Sequence, residues 1–392
     1  MTRISISGVA APVLLAVVLI SCGTSSDRAA SKASAGSTVD ASKAVAAADS
    51  ALAKLQQQVL SKGPNGEDPS PAAAADLTQA EIDKVKGMHL KAAIVMHYGG
   101  NDWSVAQIDG LKQEFAKMGI DVVAVTDANF KPDKQVSDIQ TVMAKKPDVI
   151  VSIPTDPVAT ASAYKAAASA GIKLVFMDNV PKGFTAGTDY VAVVSADNYG
   201  NGVASAHLMA KALKGKGTIG LIFHEADFFV TRQRYDGFKK TITDDYKEIT
   251  IVEEKGIAGP DFAGDAQAAA NAMLSKHPNL DGIWAVWDVP AEGVMAAARA
   301  SGRTDLKIAT EDLGKNVAIA LAKGELIVGL GAQRPYDQGV TEVHLAVKAL
   351  LGQKTPAYIA LPPLPVEHAN VLQAWKQVYH QEVPADVTSS FK

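Results

Sequence analysis

The sequence predicts an α/β protein with two lobes, each built on a doubly wound parallel β-sheet. From residue 91 onward, short apolar runs alternate with stretches of helical period, which is the pattern of βαβ units with parallel strands. An apolar run such as residues 92–96 is typical of a strand that is buried on both faces. The alternation restarts near Thr218, and a chain of 392 residues is too long for one hydrophobic core. A second lobe of the same kind is therefore expected.

The predicted strands and helices follow each other in a regular order. In the first lobe, strands are expected at 92–96, 122–125, 149–151 and 173–176, with helices at 104–118, 134–144 and 159–170. In the second lobe, strands are expected at 218–223, 249–253, 282–286, 307–310 and 326–329, with helices near 232–243, 264–276, 290–301 and 314–323. Strands that alternate with helices in this way favour right-handed crossovers between parallel strands.

The N-terminal residues have the composition of a secretory signal peptide. Arg3 supplies the positive charge, and residues 9–20 form an apolar run that is shorter than the roughly 20 residues of a membrane-spanning helix. The only cysteine, Cys22, follows a Leu-Ile-Ser sequence, and this stretch resembles the lipobox of bacterial lipoproteins. The resemblance implies removal of residues 1–21 and attachment of diacylglycerol and palmitate at Cys22. The protein would then be anchored at the extracytoplasmic face of the cell membrane.

Two further segments precede the first predicted lobe. Residues 22–42 are rich in serine, alanine and glycine, which predicts a flexible tether. Residues 43–88 predict a helical extension, because apolar residues recur at helical spacing from about residue 40 to residue 60. Thr78 and Glu81 have the spacing of a capping box at the start of a shorter helix.

Composition limits the classes of ligand. The formal net charge is −4, so the chain has no basic excess with which to bind a nucleic acid. With Cys22 lipidated, no thiol remains for a disulfide bond or a zinc cluster. His97, His224 and Glu225 lack the spacing of a metal site, so neither a metal nor a cofactor is expected.

Polar and aromatic residues stand where the predicted strands end. They include Tyr98, Asn101, Asp102 and Trp103 after the first strand, Asp178 and Asn179 after the fourth, and Glu225, Phe228, Arg234, Trp287, Asp288, Asp312 and Gln333 in the second lobe. The carboxyl ends of parallel strands share one edge of a sheet, and with two facing lobes this edge borders a cleft. Carboxylates, amides and guanidinium groups pair with hydroxyls, while aromatic faces cover C–H surface. The pattern therefore favours a small polyhydroxylated ligand.

At these residues the chain resembles a known family. The segment from about Lys91 to Leu372 is similar to the substrate-binding proteins of bacterial ABC sugar importers, in particular the ribose-binding type of type I periplasmic binding proteins. The similarity runs through the motifs at 153–156, 176–179, 195–198, 232–238 and 332–335. It implies ligand contacts by Asn101, Trp103, Asp178, Arg234, Phe262, Asp312 and Gln333. From the positions after strands we add Trp287 and Asp288, with Tyr98, Asp102, Asn179, Glu225 and Phe228 as further candidates.

The resemblance also implies how the lobes are joined. The chain would cross a hinge three times, with Asn198, Gln333 and residues 361–363 as the expected crossings. The first lobe would then comprise residues 89–196 with 334–362, and the second would comprise residues 197–333 with 363–392.

Three positions depart from the pattern of the ribose-binding type. Trp287 replaces the usual asparagine, Ser104 replaces a second aromatic residue, and Ile153 replaces a polar residue. These changes predict a linear sugar alcohol, such as the pentitol xylitol or the tetritol threitol, rather than a flat sugar ring. Binding of an aldopentose or hexose, or a role as the sensing partner of a membrane histidine kinase, remains an alternative.

The expected role is that of a monomeric receptor which delivers its ligand to an ABC permease. A repressor of the same fold would need a DNA-binding segment and no leader peptide, so it is disfavoured. Asp288 and Asp312 could form the carboxylate pair of a glycosidase, but no hydrolase signature accompanies them. An enzyme is therefore not expected.

Overall fold

The predicted fold class is confirmed, because the chain forms two six-stranded sheets flanked by helices. The structure, a computed structural model, describes residues 27–391, and of residues 27–40 it describes the backbone alone. Cys22 and the predicted signal peptide lie outside the described residues. Within the described part of the chain, no helix is both long and apolar enough to cross a membrane.

Two α-helices precede the sheets in the described part of the chain, from residue 27 onward. They are α1 (Asp27–Leu55) and α2 (Gln79–Lys86), and a short 3-10 helix at Ala72–Ala75 lies between them. The capping box is confirmed at the start of α2, where the Thr78 and Glu81 side chains each accept a hydrogen bond from the other residue's backbone N–H.

The first lobe is built on a fully parallel sheet. Its strands are β1 (Lys91–Met96), β2 (Asp121–Asp127), β3 (Val149–Ser152), β4 (Lys173–Met177), β5 (Ala192–Ala196) and β11 (Tyr358–Leu361), in the order β11-β5-β4-β3-β1-β2. Its helices are α3 (Asp102–Lys117), α4 (Pro132–Met143), α5 (Ala161–Ser169) and α11 (Pro335–Leu350). Strands β1, β3, β4 and β5 are buried along nearly their whole length, as expected for strands with helices on both faces.

The second lobe repeats this arrangement with one antiparallel edge strand. Its strands are β6 (Lys216–His224), β7 (Glu248–Ile257), β8 (Gly282–Ala285), β9 (Lys307–Glu311), β10 (Ile327–Ala332) and β12 (Leu364–Val366), in the order β12-β10-β9-β8-β6-β7. Its helices are α6 (Asn198–Ala212), α7 (Phe229–Asp245), α8 (Phe262–Lys276), α9 (Asp288–Ala300), α10 (Lys315–Lys323), α12 (Val371–Tyr379) and α13 (Ala385–Ser390).

The chain passes from one sheet to the other after β5, after β10 and after β11. Asp197 connects the first and the last of these passages, because its backbone N–H donates to the carbonyl oxygen of Leu361 at 2.8 Å. Its carboxylate also caps α6, accepting from the Gly200 N–H at 2.8 Å. This buried aspartate therefore ties two of the three passages to each other.

Glycines allow α6 and α7 to touch backbone to backbone. A Cβ on Gly202 would lie 2.1 Å from the Arg234 carbonyl oxygen, and one on Gly237 would lie 2.3 Å from the Tyr199 carbonyl oxygen. Any side chain at either position would push the helices apart. This close approach seats α7, and with it Arg234, beside the hinge.

The first helix differs from its predicted bounds. It begins at Asp27, inside the segment 22–42 that the sequence predicts as a tether, and it ends at Leu55 rather than near residue 60. The early end has a tertiary cause, because the N–H groups of Leu60 and Ser61 donate to the Asp197 carboxylate at 2.6 and 2.9 Å.

Seven observed elements are absent from the predicted ones: strands β5, β11 and β12 and helices α6, α11, α12 and α13. Helix α6 is buried around nearly its whole circumference from Asn198 to Ala210, so its sequence has no polar face from which a helical period could be read. The motif at 195–198 was visible in the sequence, but it covers only the junction of β5 and α6.

Residues 56–71 form a segment that we call the hinge strap. Before it, Leu52 and Leu55 of α1 pack against α6 of the second lobe. Within it, Leu60 and Ser61 bind Asp197, and the Ser70 N–H donates to the Tyr358 carbonyl oxygen of β11 at 2.9 Å. The strap therefore runs from the second lobe, over the hinge, to the outer edge of the first sheet.

Candidate functional site

A cavity of about 140 Å³ lies between the lobes, at the carboxyl ends of the strands. A single water needs roughly 10–15 Å³ by the same measure, so the cavity has room for a molecule the size of a small sugar or polyol. It is lined by ten of the predicted residues: Tyr98, Asn101, Trp103, Asp178, Phe228, Arg234, Phe262, Trp287, Asp312 and Gln333. These side chains come from the loops that follow β1, β4, β6, β8, β9 and β10 and from the N-terminal turns of α3, α7 and α8, which follow β1, β6 and β7.

Arg234 is the most heavily hydrogen-bonded group of the cavity, and its side chain is only 2% exposed. Its Nη1 and Nη2 donate to the two carboxylate oxygens of Asp312 at 2.9 and 3.2 Å. Its Nη1 also donates to the Val286 carbonyl oxygen at 3.1 Å, and its Nε donates to Asn198 Oδ1 at 3.1 Å. Because hydrogen bonds hold the Arg234 guanidinium through Nε, Nη1 and Nη2, it presents a fixed geometry to a ligand.

Asp178 and Asp312 share an uncommon backbone conformation. Their φ values are +54° and +64°, in the left-handed region, which aspartate and asparagine tolerate better than most residues. Asp178 also accepts a hydrogen bond from Ser195 Oγ at 2.5 Å. Burial raises its pKa to about 6, so this carboxyl group can lose its proton near neutral pH.

Aromatic rings from both lobes cover the rest of the cavity wall. Two contacts cross from lobe to lobe: His97 stacks on Phe228 with ring centroids 6.0 Å apart, and Phe130 meets Phe262 edge-on at 5.8 Å. In the second lobe, Trp287 meets Phe262 at 4.9 Å with the rings inclined by 69°. Trp287 and Phe262 of the second lobe therefore meet edge to face, whereas His97 and Phe228 are stacked across the two lobes.

The two histidines of this wall carry no charge near neutral pH. Burial lowers the pKa of His97 to about 3 and that of His224 to about 4. His224 Nδ1 lies 3.2 Å from Thr231 Oγ1, and its ring meets Trp287 edge-on. Both imidazoles therefore act as neutral aromatic and hydrogen-bonding surface. Among the described residues, no cluster of three or more His, Cys, Asp or Glu side chains could hold a metal ion.

Four predicted residues lie off the cavity, and each has a different partner. The Asp288 carboxylate turns back to accept from the Val289 N–H at 2.9 Å, where burial raises its pKa well above the usual range. Asn179 Nδ2 donates to the Pro154 carbonyl oxygen at 3.2 Å. Glu225 packs its side chain against Gly256, and Asp102 accepts from the Lys315 N–H at 2.7 Å. The structure therefore places these four predicted residues off the cavity wall.

Several lining residues were missed by the sequence analysis: His97, Asn129, Phe130, Ile153, His224, Val230, Thr231, Pro260 and Val289. Asn129 and Phe130 stand just after β2, so the strand-end rule would have found them had it been applied to that strand. His97 and His224 were weighed as metal ligands, and Ile153 was noted only as a departure from the family pattern.

Three comparisons place this fold and cavity among known proteins. Residues 92–354 match the family model described as a periplasmic binding protein domain. The chain is 28% identical over 270 residues to the ribose import binding protein of Salmonella typhimurium, covering 68% of this chain and 86% of that protein. It is 30% identical over 266 residues to a putative rhizopine-binding protein of Rhizobium meliloti, covering 67% and 85%.

Among solved structures, the chain is similar to an ABC transporter solute-binding protein of Mycobacterium smegmatis with bound glycerol. The two are 27% identical with a TM-score of 0.64, and the alignment covers 72% of this chain and 96% of that one. The proteins named in these comparisons are binding proteins, not enzymes.

Proposed function

The chain belongs to the periplasmic binding protein domain family, and from that premise we propose that it is the solute-binding receptor of an ABC importer for a small carbohydrate. We further propose a preference for a linear sugar alcohol, such as xylitol or threitol. The observation that carries the proposal is the cavity itself, in which Arg234, Asp312 and Asp178 stand beside aromatic rings from both lobes.

The cavity is suited to a receptor whose two lobes close over a hydroxylated ligand. Hydroxyl groups in a closed, water-free cavity must each find a partner, since an unpaired buried polar group costs about 1–3 kcal/mol. Asp178 and Asp312 can accept from ligand hydroxyls, and Asn101 and Gln333 can donate to them. Ligand that contacts both lobes would bias the hinge toward the closed state, which a permease could then recognise.

The preference for a polyol rests on the shape of the aromatic wall. Trp287 and Phe262 meet edge to face, and they do not present two parallel surfaces between which a flat sugar ring would fit. A flexible alditol can place its hydroxyls independently along such a wall. The structure of the mycobacterial relative, which holds glycerol, adds support for this class of ligand.

An aldopentose is the second candidate, because a relative that is 28% identical is named for ribose import. The test is a calorimetric titration of the protein with xylitol, threitol, D-ribose and D-glucose. We expect heat with at least one alditol. Heat with an aldose and none with any alditol would contradict the polyol preference, and no heat with any of the four would contradict carbohydrate binding.

The variant Trp287→Asn separates the two candidates further. Asparagine restores the amide that the ribose-binding type carries at this position, so we expect the ratio of ribose affinity to xylitol affinity to rise by about 10-fold or more. Phe228→Leu, at another aromatic position of the cavity, is the control and should leave that ratio nearly unchanged.

The proposal includes the site of anchoring. Cys22 would carry the lipid after removal of residues 1–21, with the folded lobes working as a monomer beside the permease. Mass spectrometry of the mature protein tests this, since a free Cys22 thiol would exclude the lipid.

The affinity for a hydroxylated ligand should depend on pH through Asp178. The carboxyl group has a pKa of about 6, and only its ionised form accepts hydrogen bonds with both oxygens. Affinity should therefore be constant near pH 7.5 and fall as the pH drops through 6, by up to about 10-fold per pH unit. His97 and His224, with pKa values of about 3 and about 4, do not titrate in this range.

The control is the matched variant Asp178→Asn, whose ligand affinity should not change between pH 5 and 7. If its affinity instead depends on pH as that of the wild type does, Asp178 is excluded as the titrating group.

A further inference from the structure

Asp102 makes a hydrogen bond from one lobe to the other. It is the first residue of α3 in the first lobe, and its Oδ2 accepts from the backbone N–H of Lys315 at 2.7 Å. Lys315 is the first residue of α10 in the second lobe, 213 positions along the chain. The carboxylate therefore spans the cleft, next to Trp103, which lines the cavity.

Helix α10 lacks a cap of its own. Its N-cap residue is Gly314, which has no side chain with which to accept from the first-turn N–H groups. Asp102 supplies an acceptor from the opposite lobe, and its negative charge meets the positive end of the α10 dipole. The Lys315 side chain points elsewhere, to Asp386 at 2.7 Å, so the contact with Asp102 belongs to the backbone.

We propose that Asp102 is a closure latch: it stabilises the closed arrangement of the lobes and slows ligand release without touching the ligand. The inference rests on the proposed function, because it concerns the closing of the same cavity. When the lobes separate, the Asp102 carboxylate and the Lys315 N–H move apart, and both groups become hydrated. The latch is therefore a positioning residue whose hydrogen bond exists only in the closed state.

The chain offers a matched pair of variants that isolates this one bond. Lys315→Pro removes the N–H at the first helical position, which is where proline is best tolerated in a helix. Gly314, with φ −64° and ψ 153°, already has the extended conformation that a following proline requires. Lys315→Ala removes the side chain and its ion pair with Asp386 but keeps the N–H, so it is the control.

The measurement is binding of xylitol and D-ribose by calorimetry and stopped-flow fluorescence, with the full-length protein. Lys315→Pro and Asp102→Ala should each raise Kd by about 3- to 10-fold, entirely through faster dissociation. Lys315→Ala should bind as the wild type does. The double variant Asp102→Ala/Lys315→Pro should bind no more weakly than either single variant, because both remove the same bond.

Equal dissociation rates for Lys315→Pro and Lys315→Ala would overturn the latch. If neither xylitol nor D-ribose binds the wild-type protein, the proposed function is wrong. The hydrogen bond of Asp102 is then tested in the ligand-free protein by hydrogen exchange. In that case the Lys315 amide should exchange faster in Asp102→Ala than in the wild type, and equal exchange would overturn the proposal.

Discussion

Replacing Arg234 by methionine is expected to abolish ligand binding and to destabilise the fold. The Arg234 guanidinium is buried, and it donates two hydrogen bonds to Asp312 and one to the Val286 carbonyl oxygen. Without it, the Asp312 carboxylate stays in the interior with no positive partner. Breaking a buried pair in this way costs about 3–5 kcal/mol, and we expect a loss of that size in the free energy of unfolding by urea. Ligand affinity should fall by more than about 100-fold.

A double variant separates the two effects of Arg234. Arg234→Met with Asp312→Asn removes both charges, and asparagine tolerates the left-handed backbone at position 312. The free energy of unfolding should be higher than that of Arg234→Met, because the Asp312 carboxylate is no longer left buried without its partner. It should not return fully to that of the wild type, because Asp178 and Glu311 also lose the nearby Arg234 charge. Binding should not return. A double variant that binds at wild-type affinity would exclude this pair from the ligand site.

Replacing Asp178 by asparagine is expected to move stability and affinity in opposite directions. Burial raises the pKa of Asp178 from 3.8 to about 6, so its ionised form is disfavoured in the folded state. Between pH 3.8 and about 6 the carboxyl group of residue 178 is ionised in the unfolded chain and still protonated in the folded one. The free energy of unfolding therefore falls as the pH rises through this range. Above pH 6 the folded protein bears the full cost of a buried ionised Asp178 carboxylate, which is about 3 kcal/mol at most. Asp178→Asn removes it, so at pH 7.5 the ligand-free variant should be the more stable protein.

The same change should weaken ligand binding by about 10- to 100-fold, since a charged acceptor is replaced by a neutral amide. The control is Ser195→Ala, which removes a hydrogen bond to Asp178 and leaves the charge in place. It should destabilise the ionised carboxylate and raise the pKa of Asp178 further. Thermal unfolding with and without ligand at pH 7.5 measures both effects, and a destabilised Asp178→Asn protein that binds normally would contradict the assignment.

The sequence predicted the fold class from the alternation of strands and helices, and it predicted ten of the residues that line the cavity from strand ends and from the family resemblance. Asp178 and Asp312 directly follow β4 and β9, and Trp103 lies in the first turn of the helix that follows β1, so the topology of the sheets brings all three to the cavity. Helix α6 was missed because it is buried on all sides, and a helical period is visible only when one face is polar.

The predicted residues that lie off the cavity are held there by hydrogen bonds that the sequence pattern does not show. Asp102 stands one position from Trp103 and has the same strand-end signal, yet its carboxylate binds Lys315. Asp288 also follows a strand, but it turns back to its own helix. Position after a strand identifies which residues reach the edge of the sheet, whereas the direction of each side chain depends on tertiary contacts.

The hinge strap has a consequence for any shortened form of this protein. The family match begins at residue 92, so a version trimmed to it would lack the strap. Strand β11 is an apolar edge strand, and Ser70 occupies the outer side of it. Without that cover, its free N–H and C=O groups would be open to pairing with a second molecule, which is a route to aggregation. Asp197 would in addition lose the two N–H donors of Leu60 and Ser61 to its buried carboxylate. The extension before the lobes therefore covers a sheet edge that would otherwise be open to pairing with another molecule.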